Sequence, residues 1–242
     1  MGRYFTKTVK PTMLAAKMDS GAYSADDVLF DWFAFDVPKG TSMLKGVTAL
    51  VRGNDGAAQF LPFDVLFAKS DADGTAPTSL GTEHATANGV GFYNNLLGMI
   101  RFAASDYGQK SLDTIGIANV AAAPPLGFAL TGEPDSGTNV GYDKIYVGGL
   151  AGGAFNFAST VTVNETSFDA ATQTEITVDT KDATLVLAPG DVIIAQDEAA
   201  IGTLVTVEAT RLVLESANTA AIANNDEVYN QSPITLILSF EK

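Results

Sequence analysis

Apolar and polar residues alternate with a period of two through most of this chain, in short runs broken by Gly, Pro, Asn or Asp. That is the pattern of strands with one face buried. Leu61, Phe63, Val65 and Phe67 fall on one face of such a run. Ile234, Leu236, Leu238 and Phe240 do the same near the C-terminus, with Thr235 and Ser239 on the other face, as a strand wetted on one side requires. Val47, Ala49 and Val51, then Leu126, Phe128 and Leu130, then Ile145 and Val147 mark further strands. The run from Val28 to Val37 carries Phe30, Trp32, Phe33 and Phe35, is apolar on both faces, and predicts a central strand. Helical periodicity is confined to short turns over residues 12–17, 94–104 and 219–224, of which the second reads equally well as a strand.

Gly148, Gly149, Gly152 and Gly153 crowd into six residues. Glycine is costly inside regular structure, so this stretch reads as a hinge or linker. Beyond it come short β segments: Ile176 to Val178, Leu185 to Leu187, Val192 to Ala195, Ile201 to Val207, Leu212 to Leu214, Val228 to Tyr229 and Ile234 to Phe240. Pro189-Gly190 and Asn224-Asn225-Asp226 supply tight turns ahead of two of them. Such spacing predicts a small closed barrel or sandwich, which avoids exposed edges by closure. The division expected is a basic N-terminal arm over residues 1–20, a β-sandwich over 21–155 and a barrel over 156–242.

Charge is sparse and one-sided. The 242 residues include 14 bases and 28 acids, for a formal charge of −14, and only 17% of residues are charged, against about 25% in an ordinary globular chain. A partner held by phosphate neutralisation is disfavoured, so no nucleic acid is expected. No run approaches the ~20 apolar residues of a membrane-spanning helix. Arg3, Lys7, Lys10 and Lys17 give the first eighteen residues four positive charges and no acid, whereas residues 145–242 hold three bases and thirteen acids. That asymmetry suits contacts in which one copy's arm meets an acidic face.

Cysteine is absent and His84 is the sole histidine, so thiolate chemistry is impossible and His-based catalysis rests on one residue. His84 lies in a small-polar stretch and reads as a solvated loop residue. Asp71-Ala72-Asp73-Gly74 begins like a calcium loop, but Ala76 breaks the pattern that should continue there and Thr82 stands where its bidentate Glu belongs, and Asp135 to Asp143 offers oxygens that are also ordinary turn formers. No metal and no cofactor is expected. Asp19, Asp26, Asp27, Asp31 and Asp36 read as a solvated strand edge rather than a hydrolytic pair. Tyr93, Tyr107, Tyr142, Tyr146 and Tyr229 are the residues on which a sugar could stack.

A resemblance adds to this. Pro189-Gly190-Asp191-Val192-Ile193, Ile201 to Val207, Leu212-Val213-Leu214, Asp226-Glu227-Val228-Tyr229 and Pro233-Ile234 together resemble small β-barrel modules of tailed-phage virion proteins. The N-terminal region, with Gly132 to Asn139 between strands, is similar to jelly-roll or β-sandwich proteins of marine phage heads. The resemblance implies a capsid decoration or cement protein, often trimeric, on a shell of major capsid protein. The expectation is therefore an all-β chain, a jelly-roll-like β-sandwich followed by a small β-barrel, that is no enzyme and binds and reinforces the capsid surface. Arg3, Tyr4 and Phe5 are the expected anchors of its arm, and Lys7 and Lys10 its steering charges. The alternative is a receptor-binding or fibre-associated module that recognises host glycans.

Overall fold

A computed structural model describes residues 3–38, 41–52, 57–71, 75–108, 114–122, 128–131, 144–157, 161–166, 169–196 and 200–242. The elements are β1 (Tyr4–Val9), α1 (Ala15–Asp19), β2 (Val28–Asp36), β3 (Thr41–Arg52), β4 (Phe63–Lys69), β5 (Leu96–Phe102), β6 (Ile115–Ala121), β7 (Phe128–Thr131) and β8 (Lys144–Ala151). After these come β9 (Thr162–Val163), β10 (Glu175–Asp179), β11 (Val192–Ala195), β12 (Ala200–Glu208), β13 (Arg211–Leu214), β14 (Val228–Asn230) and β15 (Ile234–Glu241). The expected all-β architecture, a sandwich plus a small barrel, is present.

One sheet of the sandwich runs β1-β15-β3-β6, with β7 also pairing with β3, and the other runs β2-β8-β4-β5. Their inner faces share one apolar cluster, to which the alternating residues Val47, Ala49 and Val51 of β3, Phe63, Val65 and Phe67 of β4, and Leu236, Leu238 and Phe240 of β15 all belong. Phe35 meets Phe240 across the two sheets, with ring centroids 6.1 Å apart. The outer face of the second sheet is covered too, since Val28 and Leu66 pack with Leu80, Phe92 and Trp32. That cover explains why β4 is buried on both faces.

The barrel runs β14-β11-β12-β13-β10-β9. It closes where Val163 N–H donates to the Asp226 carbonyl at 2.9 Å and Val228 N–H to that of Val161 at 3.0 Å. Period two divides its strands between two cores: Ile193, Ala195 and Val228 point into the barrel, while Ile194 and Tyr229 join the sandwich core.

Several expectations need correction. The segment 156–242 is not a self-contained barrel, because β15 leaves it and pairs with β1 on one side and β3 on the other. Residues 4–9 are correspondingly a strand of that sheet rather than an extended arm. The glycine stretch is no linker: Gly148 and Gly149 lie in β8, the strand between β2 and β4. A Cβ on Gly148 would sit 3.1 Å from Trp32 Cε3, and one on Gly149 would run into the Phe30 ring. Glycine there lets backbone and aromatic rings touch. The run from Val28 forms an edge strand, not a central one; Val28 to Phe30 at its start are buried, whereas Phe33 and Ala34 farther along are exposed. Residues 219–224 form no helix, and Leu185 ends a 3₁₀ turn over Ala183–Leu185 capped by Asp182.

Candidate functional site

Strand β1 pairs in unbroken antiparallel register from Tyr4 opposite Glu241 to Val9 opposite Leu236. Alternation turns Phe5, Lys7 and Val9 towards the core side and Tyr4, Thr6 and Thr8 outward, where they are exposed. Phe5 stacks on Phe240 with centroids 5.0 Å apart, so it anchors the sheet itself. Tyr4 is the aromatic presented to solvent, 74% exposed. Its hydroxyl donates to Glu241 Oε1 at 3.2 Å, and Lys45 Nζ reaches Glu241 Oε2 at 3.1 Å. Hydrogen bonding and charge from Lys45 hold the Glu241 carboxyl below its ordinary range. A shallow groove of about 460 Å³ runs between Tyr4, Phe5, Thr6, Lys45, Ser239 and Phe240.

Arg3 and Lys242 exchange backbone hydrogen bonds at 3.0 and 2.8 Å, which sets both side chains beside the start of β1. Arg3, Lys7 and Lys10 thus lie along β1 and at its two ends, with Lys242 beside Arg3 at the end of β15 and Lys45 on β3 beyond it, paired with Glu241. These are five of the chain's 14 bases, in a molecule of charge −14. The structure therefore places Tyr4, Phe5 and Lys7 on β1 and Arg3 and Lys10 at its two ends, with Phe5 turned to packing and Lys45 and Lys242 nearby. Neither addition was legible in sequence, since each arrives by long-range pairing.

Beyond Lys10 the sandwich meets the barrel in a cavity of about 110 Å³ lined by Lys10, Leu50, Arg52, Asp191, Asn230 and Ser232 among others. Arg52 of β3 donates to the carboxylate of Asp191 across it, and Ala188 N–H donates to the same carboxylate at 2.8 Å. Desolvation pushes the Asp191 carboxyl up, against the opposing pull of Arg52 and the Ala188 amide. Because an acid with a raised native pKa binds its proton more tightly folded than unfolded, its contribution improves as pH falls through that native value. Replacing Arg52 by Ala leaves the buried carboxylate unpaired and is expected to cost about 2–3 kcal/mol near pH 7, below the full cost for a dry pair because the cleft admits water. Denaturant titrations at several pH values check this: the loss should shrink as Asp191 protonates, and a pH-independent loss would assign it to packing.

His84 is not a free loop residue. Its Nε2 donates to the Ala22 carbonyl at 2.9 Å, its Nδ1 lies 2.8 Å from Ser20 Oγ, and its ring stands edge-on to Tyr23 at 4.5 Å. Glu83 accepts from Leu14 N–H at 2.9 Å, so the neighbouring pair grips both ends of the α1 segment. The acids read as a solvated edge are partly structural. Asp27 accepts from Ser24 N–H at 2.7 Å, Asp31 from Leu80 N–H at 2.9 Å, and Asp19 from Tyr229 Oη at 3.1 Å.

Among the described residues no group of three or more His, Cys, Asp or Glu is placed to hold a metal ion. Residues 72–74 and 132–143, which carry most of both calcium candidates as well as Tyr142 and the Gly132 to Asn139 stretch, lie outside the described residues. Of the other tyrosines proposed for stacking, Tyr107, Tyr146 and Tyr229 are buried and Tyr93 is exposed. Burial pushes the phenols of Tyr107 and Tyr229 up, with Glu227 and Asp19 adding to the effect at Tyr229. No family model, curated protein or solved structure matches the chain.

Proposed function

We propose that the chain is a structural virion protein that binds and reinforces a phage capsid shell, of decoration or cement type, with the major capsid protein as its partner and a homo-oligomer, a trimer first, as its assembled form. One observation carries this reading: Arg3, Lys7, Lys10 and an exposed tyrosine line the edge strand of a strongly acidic chain, with Lys242 beside Arg3. An edge of this kind steers and orients a protein partner, and Arg and Tyr are the residue types that dominate contact energy. Supporting it, His84, Asp27, Asp31 and Asp191 are engaged in hydrogen bonds that hold the fold together.

The β1 pairing changes how this is tested. Deleting residues 1–10 would remove a strand, so charge reversal at Lys7 and Lys10 is the cleaner probe. Quantitative mass spectrometry of purified particles should find the chain in many copies at a fixed ratio to the major capsid protein, and Lys7→Glu with Lys10→Glu should lower that ratio severalfold while the free variant stays folded. Absence from particles would overturn the reading.

A further inference from the structure

We infer that the outer edge of β1 is a β-augmentation site that takes an extended acidic segment of a partner protein. In an antiparallel ladder, residues opposite one another alternate between pairs that exchange both hydrogen bonds and pairs that exchange none. Arg3 and Lys242 exchange both. Two-residue alternation then gives Phe5, Lys7 and Val9 the bonds to β15, and turns the N–H and C=O groups of Tyr4, Thr6 and Thr8 away from it. β1 ends its sheet, and among the described residues no strand pairs with that side.

Edges left open are usually blunted by proline, a bulge or inward charge. β1 has no proline, and its register with β15 has no bulge; its only device is positive charge. Lys7 is half-buried on the core side, while Arg3 and Lys10 are exposed at the two ends. That charge repels a second copy of the same edge, since pairing two β1 strands would bring two sets of Arg3, Lys7 and Lys10 together. It attracts a strand bearing Asp or Glu. The groove between Tyr4, Phe5, Lys45 and Phe240 gives such a strand a place for one side chain, so main-chain bonds supply affinity and the groove and charges supply selectivity. This goes beyond the capsid reading and does not need it, because any protein with such a segment would serve.

Fluorescence anisotropy with a labelled peptide of about nine residues, alternating Glu with Val and Thr, tests the inference on the whole chain without any virus. Saturable binding is expected, weakening about tenfold as ionic strength rises from about 0.05 to about 0.3 M, with no binding of the same peptide carrying Lys for Glu. Thr6→Pro removes an outward N–H that β15 does not use, and should weaken binding about tenfold or more while circular dichroism and the thermal midpoint stay close to wild type. If Thr6→Pro fails to fold, Lys7→Glu decides, with the same loss expected. Equal binding of both peptides, unchanged binding by the variants, or a wild-type dimer that Lys7→Glu disperses would overturn the inference. Loss of the virion reading alone would leave it standing.

Discussion

A chain ending at Ser232 is expected to lose the cooperative unfolding of the sandwich altogether. Ile234, Leu236, Leu238 and Phe240 are all buried at 1% exposure or less. Burying a large aliphatic or aromatic side chain contributes about 1.5–3 kcal/mol, so four of them supply about 6–12 kcal/mol, comparable to the whole net stability of an ordinary domain, about 5–15 kcal/mol. The truncation also orphans β1 and the inner edge of β3, since β15 lies between them. Circular dichroism and urea titration should show a non-cooperative or aggregated species. A truncated chain with a wild-type-like midpoint would mean that the sandwich closes without β15.

The second large effect is expected at Gly149. A Cβ there would lie 2.9 Å from Phe30 Cδ1 and nearer still to two other ring atoms, and Phe30 is only 1% exposed, so the ring has no free space to enter. Gly149→Val should cost about 3 kcal/mol or more, at or above the upper end for overpacking a core. Shortening the neighbour in the double variant with Phe30→Leu should recover part of the loss, the non-additivity expected of residues in contact. Gly89→Ala is the control: nothing lies within 4 Å of its Cβ, and its effect should stay within about 0.5 kcal/mol. A loss no larger at Gly149 than at Gly89 would restore the linker reading.

These two sites also show what pattern can and cannot reveal. Period two placed β13 and β15, which are buried at alternate positions, and β4, whose Phe63, Val65 and Phe67 alternate although both its faces are buried; β11 was placed by a short apolar run. It did not reveal which sheet β15 enters, since its partners β1 and β3 lie some 190 to 230 residues away in sequence. β1 read as a solvated arm because Lys7 stands where an apolar residue would complete the alternation. At an edge the ammonium of a lysine reaches solvent while its stem packs. Gly148 and Gly149 misled for a different reason: a flexible linker and a backbone pressed against aromatic rings both call for glycine, and only the positions of Phe30 and Trp32 separate them. Asn218 gave no signal at all, yet it is fully buried and makes four hydrogen bonds, accepting from Thr172 and Gln173 N–H and donating to the Asp169 and Ala220 carbonyls.

The candidate site was half legible. Arg3, Tyr4, Lys7 and Lys10 could be picked out by charge and residue type, but their meaning changed once β1 was seen to be paired. A free arm docks by wrapping, whereas a strand edge docks by extending a sheet, so its selectivity depends on the partner's backbone as well as its charge. Lys242 joins the Arg3 end of that edge through register alone.

Locating the chain in a density map of purified phage particles tests the central claim most directly. The account predicts the protein on the outer surface of the shell with the β1 edge, Arg3 through Lys10, facing an acidic segment of a neighbouring protein. A particle without the chain, or one in which that edge faces open solvent, would contradict it.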